Sequence, residues 1–524
     1  MAACSREQSR FRDALTRVEE TQRHYLLNLL HRNARTQFGA KHDFSRITSI
    51  AEYQRQVPVN PYAAFAPYIE AISRGETGVL TADPVRLFQP TSGSTSGSKL
   101  IPWTRAAASE FRRGIDPWLA SLYQRQPALL DGTAYWSISP PLAPLRTHGR
   151  LRVGFDQDID YVGFLGKTLF PLVSSVPSNV AQCGDVTEFR TRTLWSLLAD
   201  EDLCLISVWS PTFLTTLLGD FVARQDEILK LLAQSGRGNA ARRSELIRRV
   251  LRDGRGPLAF EQVWPNLKVI SCWTHGSSAI YAENLRRFFP RVEIQGKGLV
   301  ATEAFVSLPF QEDHDPVLAV TAHFFEFQNP VTEEISLAHE LTVGNEYRVM
   351  VTTGSGLYRY PLGDRIRVTG FIQGAPCFRF ISRDGLGSDL FGEKLHPAFV
   401  EQVIRRVLAQ LDIHPSFLLL APVADEHHGT GYALFVESDL IPNPANLREL
   451  LENGLAENFH YAHCRKLGQL SQTRLFHIRK NPVSAESVYL AAMGDSKVKL
   501  GDVKMSQLDA QLGWERRFEG RFCE

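Results

Sequence analysis

Pro90-Thr91-Ser92-Gly93-Ser94-Thr95-Ser96-Gly97-Ser98-Lys99, continuing into Leu100-Ile101-Pro102, decides the reading of this chain. The stretch sets hydroxyls and two glycines between an apolar approach (Val85, Leu87, Phe88) and a segment from Ala106 to Tyr123 with helical character. Glycine permits positive φ and lets backbone N–H groups come close to a ligand. Hydroxyls supply short donors and Lys99 a point charge, so the loop suits an oxyanion, above all a polyphosphate. Composition alone also admits a flexible Gly/Ser linker. A linker, however, needs neither a terminal lysine nor strand-like flanks.

Two commoner motifs fail on spacing. The nucleoside triphosphatase loop needs four residues between its first glycine and Gly-Lys-Ser/Thr. Here three separate Gly93 from Gly97, a serine precedes Lys99 and Leu100 comes after it. The hydrolase nucleophile elbow wants serine at the centre of Gly-x-Ser-x-Gly, and Thr95 stands there. The stretch resembles instead the Lys-ended Thr/Ser/Gly loop of acyl-adenylate-forming enzymes.

Outward from the loop, strand and helix signals alternate. A helical pattern covers 7–35 (Phe11, Leu15, Val18, Tyr25, Leu26, Leu29), closed by Gly39. Apolar runs at Ala134–Ser139, Leu203–Trp209, Leu267–Cys272 and Val292–Gln295 read as buried strands with helices between them. That order predicts a mostly parallel sheet covered by helices. The arginine-rich 222–256 reads as a solvated surface helix. From 318 the texture turns to β hairpins, ahead of Gly363-Asp364, read as a turn that exposes its carboxylate. Ser382 to Ser388 is a polar break, and beyond it 397–411, 415–423, 431–437, 445–459 and 474–479 read as a small α+β unit. The expected fold is α/β: a large N-terminal domain over 1–383 with helix-covered parallel or mixed sheets and a β-rich part, then a small α+β domain over 384–524.

Gly296-Lys297-Gly298-Leu299-Val300-Ala301 matches the Ala-ended dinucleotide fingerprint. The fingerprint must open a helix, whereas Thr302 to Pro309 reads as strand and turn. Thr302-Glu303 suits a different chemistry, in which a hydroxyl touches phosphate and a carboxylate holds a hard cation such as Mg²⁺. A glycine-borne carboxylate such as Asp364 can accept two hydrogen bonds from a ribose diol.

The net charge of +1 argues against bulk nucleic-acid or membrane-surface binding. Seven cysteines with no Cys-x-x-Cys pair read as reduced thiols. No run approaches the ~20 apolar residues of a membrane span, and no signal-peptide core is visible at the start. The expectation is a cytoplasmic protein, a monomer or simple homo-oligomer.

In order, the motifs are Thr-Ser-Gly-Ser-Thr-Ser-Gly-x-Lys, Gly-Leu-x-Ala-Thr-Glu, Leu-Tyr-Arg-Tyr-x-x-Gly-Asp, a hinge and a late lysine. Together they resemble the Gretchen Hagen family of acyl acid amido synthetases, from about Gln22 to Lys504. Trp209-Ser210-Pro211-Thr212, Phe324-Phe325-Glu326-Phe327 and Gly392-Glu393-Lys394-Leu395 add to the match. The Ala-Thr-Glu form and the compact length point to the bacterial branch. The resemblance implies ATP and Mg²⁺ as cofactors, a small carboxylic acid, of aromatic or other apolar kind, as substrate, and an amino acid or other amine as acceptor. It implies nucleotide contacts from Ser92, Gly93, Ser94, Thr95 and Lys99, with Thr302 at the α-phosphate and Glu303 holding the metal. Tyr358 would lie near the adenine, Asp364 on the ribose and Arg383 at the hinge. Lys504 would be the catalytic C-terminal lysine, with Lys499 close enough to compete. The acyl pocket would draw on Phe111–Tyr123, Trp209–Phe213 and Trp273–Ser277. Alternatives are a CoA or carrier-thiol ligase of the same superfamily and an inactive binding relative.

Overall fold

The structure is a computed structural model, and it describes residues 2–91, 99–136, 146–154, 173–183, 186–234, 239–253, 260–383, 387–425, 429–481, 483–493 and 505–523. The fold is α/β, with four sheets among the described residues. The parallel sheet runs in the order Thr133–Trp136, Leu203–Ser207, Val269–Cys272, Glu293–Gly296, each strand parallel to the next. Its strands are short apolar runs, as helix cover on both faces requires. Leu203–Ser207 and Val269–Cys272 are buried at every residue. Helices Val186–Ala199, Pro211–Ala223 and Ala279–Phe288 intervene between the strands, and Leu197, Leu214, Leu217 and Leu285 join one hydrophobic cluster with Ile206 and Ile270.

A seven-stranded sheet comes next in the chain, ordered Ile335–Leu337, Phe324–Gln328, Glu346–Thr352, Tyr360–Ile372, Ala375–Arg383, Val317–Leu318, Ser307–Leu308. Its apolar side meets the N-terminal helices in a second cluster that includes Phe11, Leu26, Phe38, Phe325 and Val349. The helical pattern over 7–35 resolves into two helices, Ala2–Leu15 and Val18–Asn33, broken at Thr16-Arg17, and Gly39 lies within the short helix Gln37–Lys41 rather than closing the unit. The arginine-rich stretch likewise becomes two helices, Gln225–Ala233 and Ala240–Asp253. Arg243 departs from a solvated face: it is buried, donating to the carbonyls of Leu198 at 2.9 Å and Val263.

Gly363-Asp364 is not a turn. Both residues lie inside the strand Tyr360–Ile372. Pro361 pairs with Met350 and Arg365 with Arg348, so the ladder slips there, and Gly363 takes φ +80°. This is a β-bulge with glycine in the left-handed region. It bends the strand and re-aims Asp364.

The third sheet, ordered Leu100–Trp103, Leu87–Pro90, Leu151–Val153, Arg146–His148, carries the Gly/Ser loop between its first two strands. The fourth runs Phe417–Asp425, Gly429–Glu437, Arg474–Ile478, Gly520–Cys523. Alternate residues of its first strand feed two clusters: Leu418 and Leu420 face helix Pro397–Leu411, while Phe417, Leu419 and Val423 face Tyr489, Trp514 and Phe518. Period-2 side chains buried on both faces explain why the strand reads as one unbroken apolar run. Tyr281, from the parallel-sheet region, joins the second of these clusters. All seven cysteines are free thiols, and no helix among the described residues is long and apolar enough to cross a membrane.

One ion pair ties the seven-stranded sheet to the N-terminal segment. Arg359, at φ +49°, contacts Glu326 through Nε (3.1 and 3.0 Å) and Nη2 (3.0 Å). Its Nη1 donates to the carbonyls of Gln54 and Val57 at 2.9 and 2.8 Å. Both side chains are buried, so removing the cation strands a buried carboxylate, at a cost of about 3–5 kcal/mol. Arg359→Met should therefore lower stability by about that amount in urea unfolding; a loss under about 1 kcal/mol would show the pair to be dispensable.

Candidate active site

The Gly/Ser loop springs from a closed neck. Leu87–Pro90 and Leu100–Trp103 pair antiparallel up to Pro90 opposite Leu100. Beyond that pair Thr91 N–H donates to the Lys99 carbonyl at 2.8 Å, and Lys99 N–H to Thr91 Oγ1 at 3.3 Å. Ser92, Gly93, Ser94, Thr95 and the rest of the loop to Ser98 lie outside the described residues. The Tyr62 hydroxyl braces the neck, accepting from Leu100 N–H at 2.7 Å.

A tight turn carries the second motif. After the strand Glu293–Gly296, Gly298 takes φ +81°, where a Cβ would sit 2.4 Å from the Ser307 carbonyl oxygen. Val300 then bridges Phe305 antiparallel, and Ala301 and Ala304 exchange backbone hydrogen bonds at 2.9 and 3.3 Å. Thr302 and Glu303 occupy the tip, Thr302 half-buried and Glu303 only 3% exposed.

The two motifs meet through Tyr360, to which the sequence reading gave no role. Lys99 Nζ donates to the Tyr360 hydroxyl at 3.2 Å, and that hydroxyl donates to Glu303 Oε1 at 3.3 Å. The ammonium lies 5.7 Å from the ring centroids of both Tyr62 and Tyr360, within cation–π range. Burial pushes the Glu303 carboxyl above the usual range and the Asp364 charge adds to that, against Arg383 and Lys99, which favour ionisation. Burial and the Glu303 charge also raise the Tyr360 hydroxyl, so it remains a donor.

Asp364 is 2% exposed and pairs across the ladder with Arg383. Arg383 Nε stands 4.0 Å from Asp364 Oδ1, beyond hydrogen-bond range, and that oxygen has no hydrogen-bond partner among the described residues. A buried acceptor left open calls for a donor, and a ribose hydroxyl is one. Tyr358 stands apart. Its ring is fully buried, stacked on Phe38 at 4.8 Å, and its hydroxyl donates to the Leu80 carbonyl at 2.8 Å. Tyr360, two residues on in the same Leu-Tyr-Arg-Tyr run, is the tyrosine that meets the charges; sequence spacing could not separate the two. Lys504 and Lys499 lie outside the described residues.

Lys99, Glu303, Asp364 and Arg383 thus form an alternating set of two cations and two carboxylates. Among the described residues no group of three or more His, Cys, Asp or Glu side chains is placed to hold a metal. Mg²⁺ fits this donor set in its usual manner, through one carboxylate together with substrate phosphates.

The GH3 family N-terminal domain matches residues 7–294, and the GH3 family central domain matches 316–383. The indole-3-acetic acid-amido synthetase GH3.8 of Oryza sativa subsp. indica is 25% identical over 446 residues, covering 78% of this chain and 73% of the relative. The probable indole-3-acetic acid-amido synthetase GH3.4 of Oryza sativa subsp. japonica is 25% identical, covering 89% and 82%. The solved structure of the AtGH3.15 acyl acid amido synthetase in complex with 2,4-DB superposes with a TM-score of 0.84 at 18% identity, covering 98% of this chain and 95% of that one.

The buried Glu303 has a measurable consequence without any ligand. Its folded pKa is raised, so the folded state holds the proton more tightly than the unfolded chain. Its contribution is full below the unfolded pKa of about 4.3 and is lost as pH rises through the folded value. Glu303→Gln, in chelator, should melt at or above wild type at about pH 8, with the difference shrinking towards about pH 4. A variant that melts lower at about pH 8 would contradict this balance of charges.

Proposed function

The chain belongs to the GH3 family, and from that premise we propose that it is an ATP-dependent acyl acid amido synthetase, an AMP-forming ligase that makes a C–N bond. One carboxylate oxygen of the acid attacks the α-phosphorus of ATP, and pyrophosphate departs. The amine lone pair of an amino acid or other amine then attacks the acyl carbon, AMP leaves with the C–O electron pair, and the nitrogen gives up a proton.

The observation that carries this reading is the Lys99–Tyr360–Glu303 chain beside the open acceptor of Asp364. In the first step two anions must approach, and fixed positive charge lowers that barrier. Lys99 and the loop donors from Ser92 to Ser98 would face the phosphates. Tyr360 tethers Lys99 to Glu303, so the ammonium reaches the site already oriented. Glu303 would hold Mg²⁺, whose charge would offset that of the phosphates, and Thr302 would donate to the α-phosphate. Asp364 would accept the ribose hydroxyls.

We take residues 1–383 and 384–524 as separate units hinged at Arg383. The end of the central-domain match at 383 supports that division, as does the cluster of Leu418 and Leu420, whose buried members all come from 395–508. Lys504 would then enter from the small unit for adenylation alone.

Purified protein with Mg²⁺ and a suitable acid should exchange labelled pyrophosphate into ATP with no amine present. Exchange absent across a broad acid panel, or dependent on CoA, would overturn the reading. Glu303→Gln should slow exchange by about 10²–10³.

Lys504→Ala should slow acyl-adenylate formation while sparing amide formation from presynthesised acyl-adenylate. If Lys499→Ala alone shows that selective loss, the role belongs to Lys499.

A further inference from the structure

The edge of the parallel sheet holds an ionisable group that adenylation leaves unused. Lys297 directly follows the strand Glu293–Gly296, and its side chain is buried. Its ammonium donates to Ser207 Oγ at 2.6 Å and lies 4.9 Å from the ring centroid of Trp118, 5.0 Å from Trp209 and 5.8 Å from Trp136. Trp118 is fixed by its indole N–H to Gln295 Oε1 at 2.9 Å, and Trp209 packs on Trp273 at 5.8 Å. Trp136 and Ser207 are the last residues of their own strands. The box is thus built where the strands end, the edge at which open α/β sheets bind ligands.

Indole faces attract a cation but accept no conventional hydrogen bond. Of the three ammonium N–H groups, Ser207 takes one. Among the described residues no carboxylate pairs with Lys297. Burial pulls its pKa down to about 7, opposed only by the Cys272 sulfur, whose own thiol burial pushes up to about 12. A buried amine with open donors and no counter-charge sheds its proton readily, and an arriving anion holds it in the ammonium form. A cleft of about 40 Å³ adjoins it, its lining including Trp273, Thr274, Gly298, Leu299, Val300 and Phe380. Gly298 is next to Lys297 in the chain, and Glu303 lies further along the same segment.

We propose that Lys297 is a specificity residue of the acyl acid site, and that the acid it selects carries a second oxygen acceptor on a planar apolar skeleton. That acceptor, a phenolic oxygen or a second carboxylate, binds between Lys297 and Ser207, while the reactive carboxylate faces Thr302 and Glu303. The inference rests on the amido synthetase reading, whose acid site it describes. The indoles favour a flat skeleton, and the open N–H groups favour an acceptor over a bare ring.

The test uses full-length protein and three acids differing only at the far end: benzoate, 4-hydroxybenzoate and terephthalate. Binding is read without ATP from tryptophan fluorescence, which the box itself supplies, and turnover from pyrophosphate exchange. Wild type should bind a substituted acid about 10- to 100-fold more tightly than benzoate. Lys297→Met, which keeps an apolar stem among the indoles, should bring the ratio of substituted-acid to benzoate affinity down to about one; Lys297→Arg should keep most of the preference and Ser207→Ala reduce it. A wild type without preference, or a Lys297→Met that weakens all three acids equally, would overturn the proposal. Should Lys297→Met fail to fold, the Arg and Ala variants decide the matter on the same ratio. A preference in binding with no exchange for any acid would leave the anchor standing and remove the amido synthetase reading. Exchange with benzoate and no preference would do the reverse.

Discussion

A carboxylate at 3% exposure with a single tyrosine hydroxyl as its side-chain partner is costly to fold, and the candidate site is arranged around it. Glu303 has no ion pair within 4 Å among the described residues; Lys99 and Arg383 act on it at longer range. Such a group is tolerable when the surrounding charges nearly balance, and it becomes useful when a cation arrives. The Tyr360 bridge, the alternation of two cations with two carboxylates, and the tight turn at Ala301–Ala304 all answer that need.

Placing those charges requires three sheets to converge. The parallel sheet delivers the turn from the end of Glu293–Gly296, the small sheet delivers Lys99 from the neck of its hairpin, and the seven-stranded sheet delivers Tyr360, Asp364 and Arg383. Two glycines make the approach possible. Gly298 lets the turn lie against the Ser307 carbonyl, and Gly363 supplies the bulge that re-aims Asp364. In each case glycine takes a positive φ that costs it little, where a charged side chain points away from a regular ladder. Arg359, beside them, serves the fold, clamping Glu326 and the carbonyls of Gln54 and Val57.

The parallel strands and their helices were legible because apolar runs of four to seven residues between helical stretches leave few other solutions. So were the elements beyond 397, where Pro397–Leu411 falls on the expected helix. Short-range chemistry hid the rest. The break at Thr16-Arg17 carries neither glycine nor proline, and the partners that bury Arg243, the carbonyls of Leu198 and Val263, come from distant turns of chain. The helix Ala485–Met493 and the last strand Gly520–Cys523 draw their support from a sheet assembled elsewhere.

By itself the sequence determined which chemistries were available: a hydroxyl- and glycine-rich loop ending in lysine, a Thr-Glu after a glycine-rich turn, and a Gly-Asp ahead of a polar break. Those are local facts, set by residue type and spacing. Only the tertiary structure decided which groups meet. It sent Tyr358 into the core against Phe38 and Tyr360 to the charges, although the two stand on either side of Arg359. It turned Gly363-Asp364 from a turn into a bulge, and it closed three tryptophans from separate stretches of chain around Lys297. The physical reason is the same throughout: burial and partner geometry depend on what the rest of the chain brings alongside, and no window of neighbouring residues contains that information.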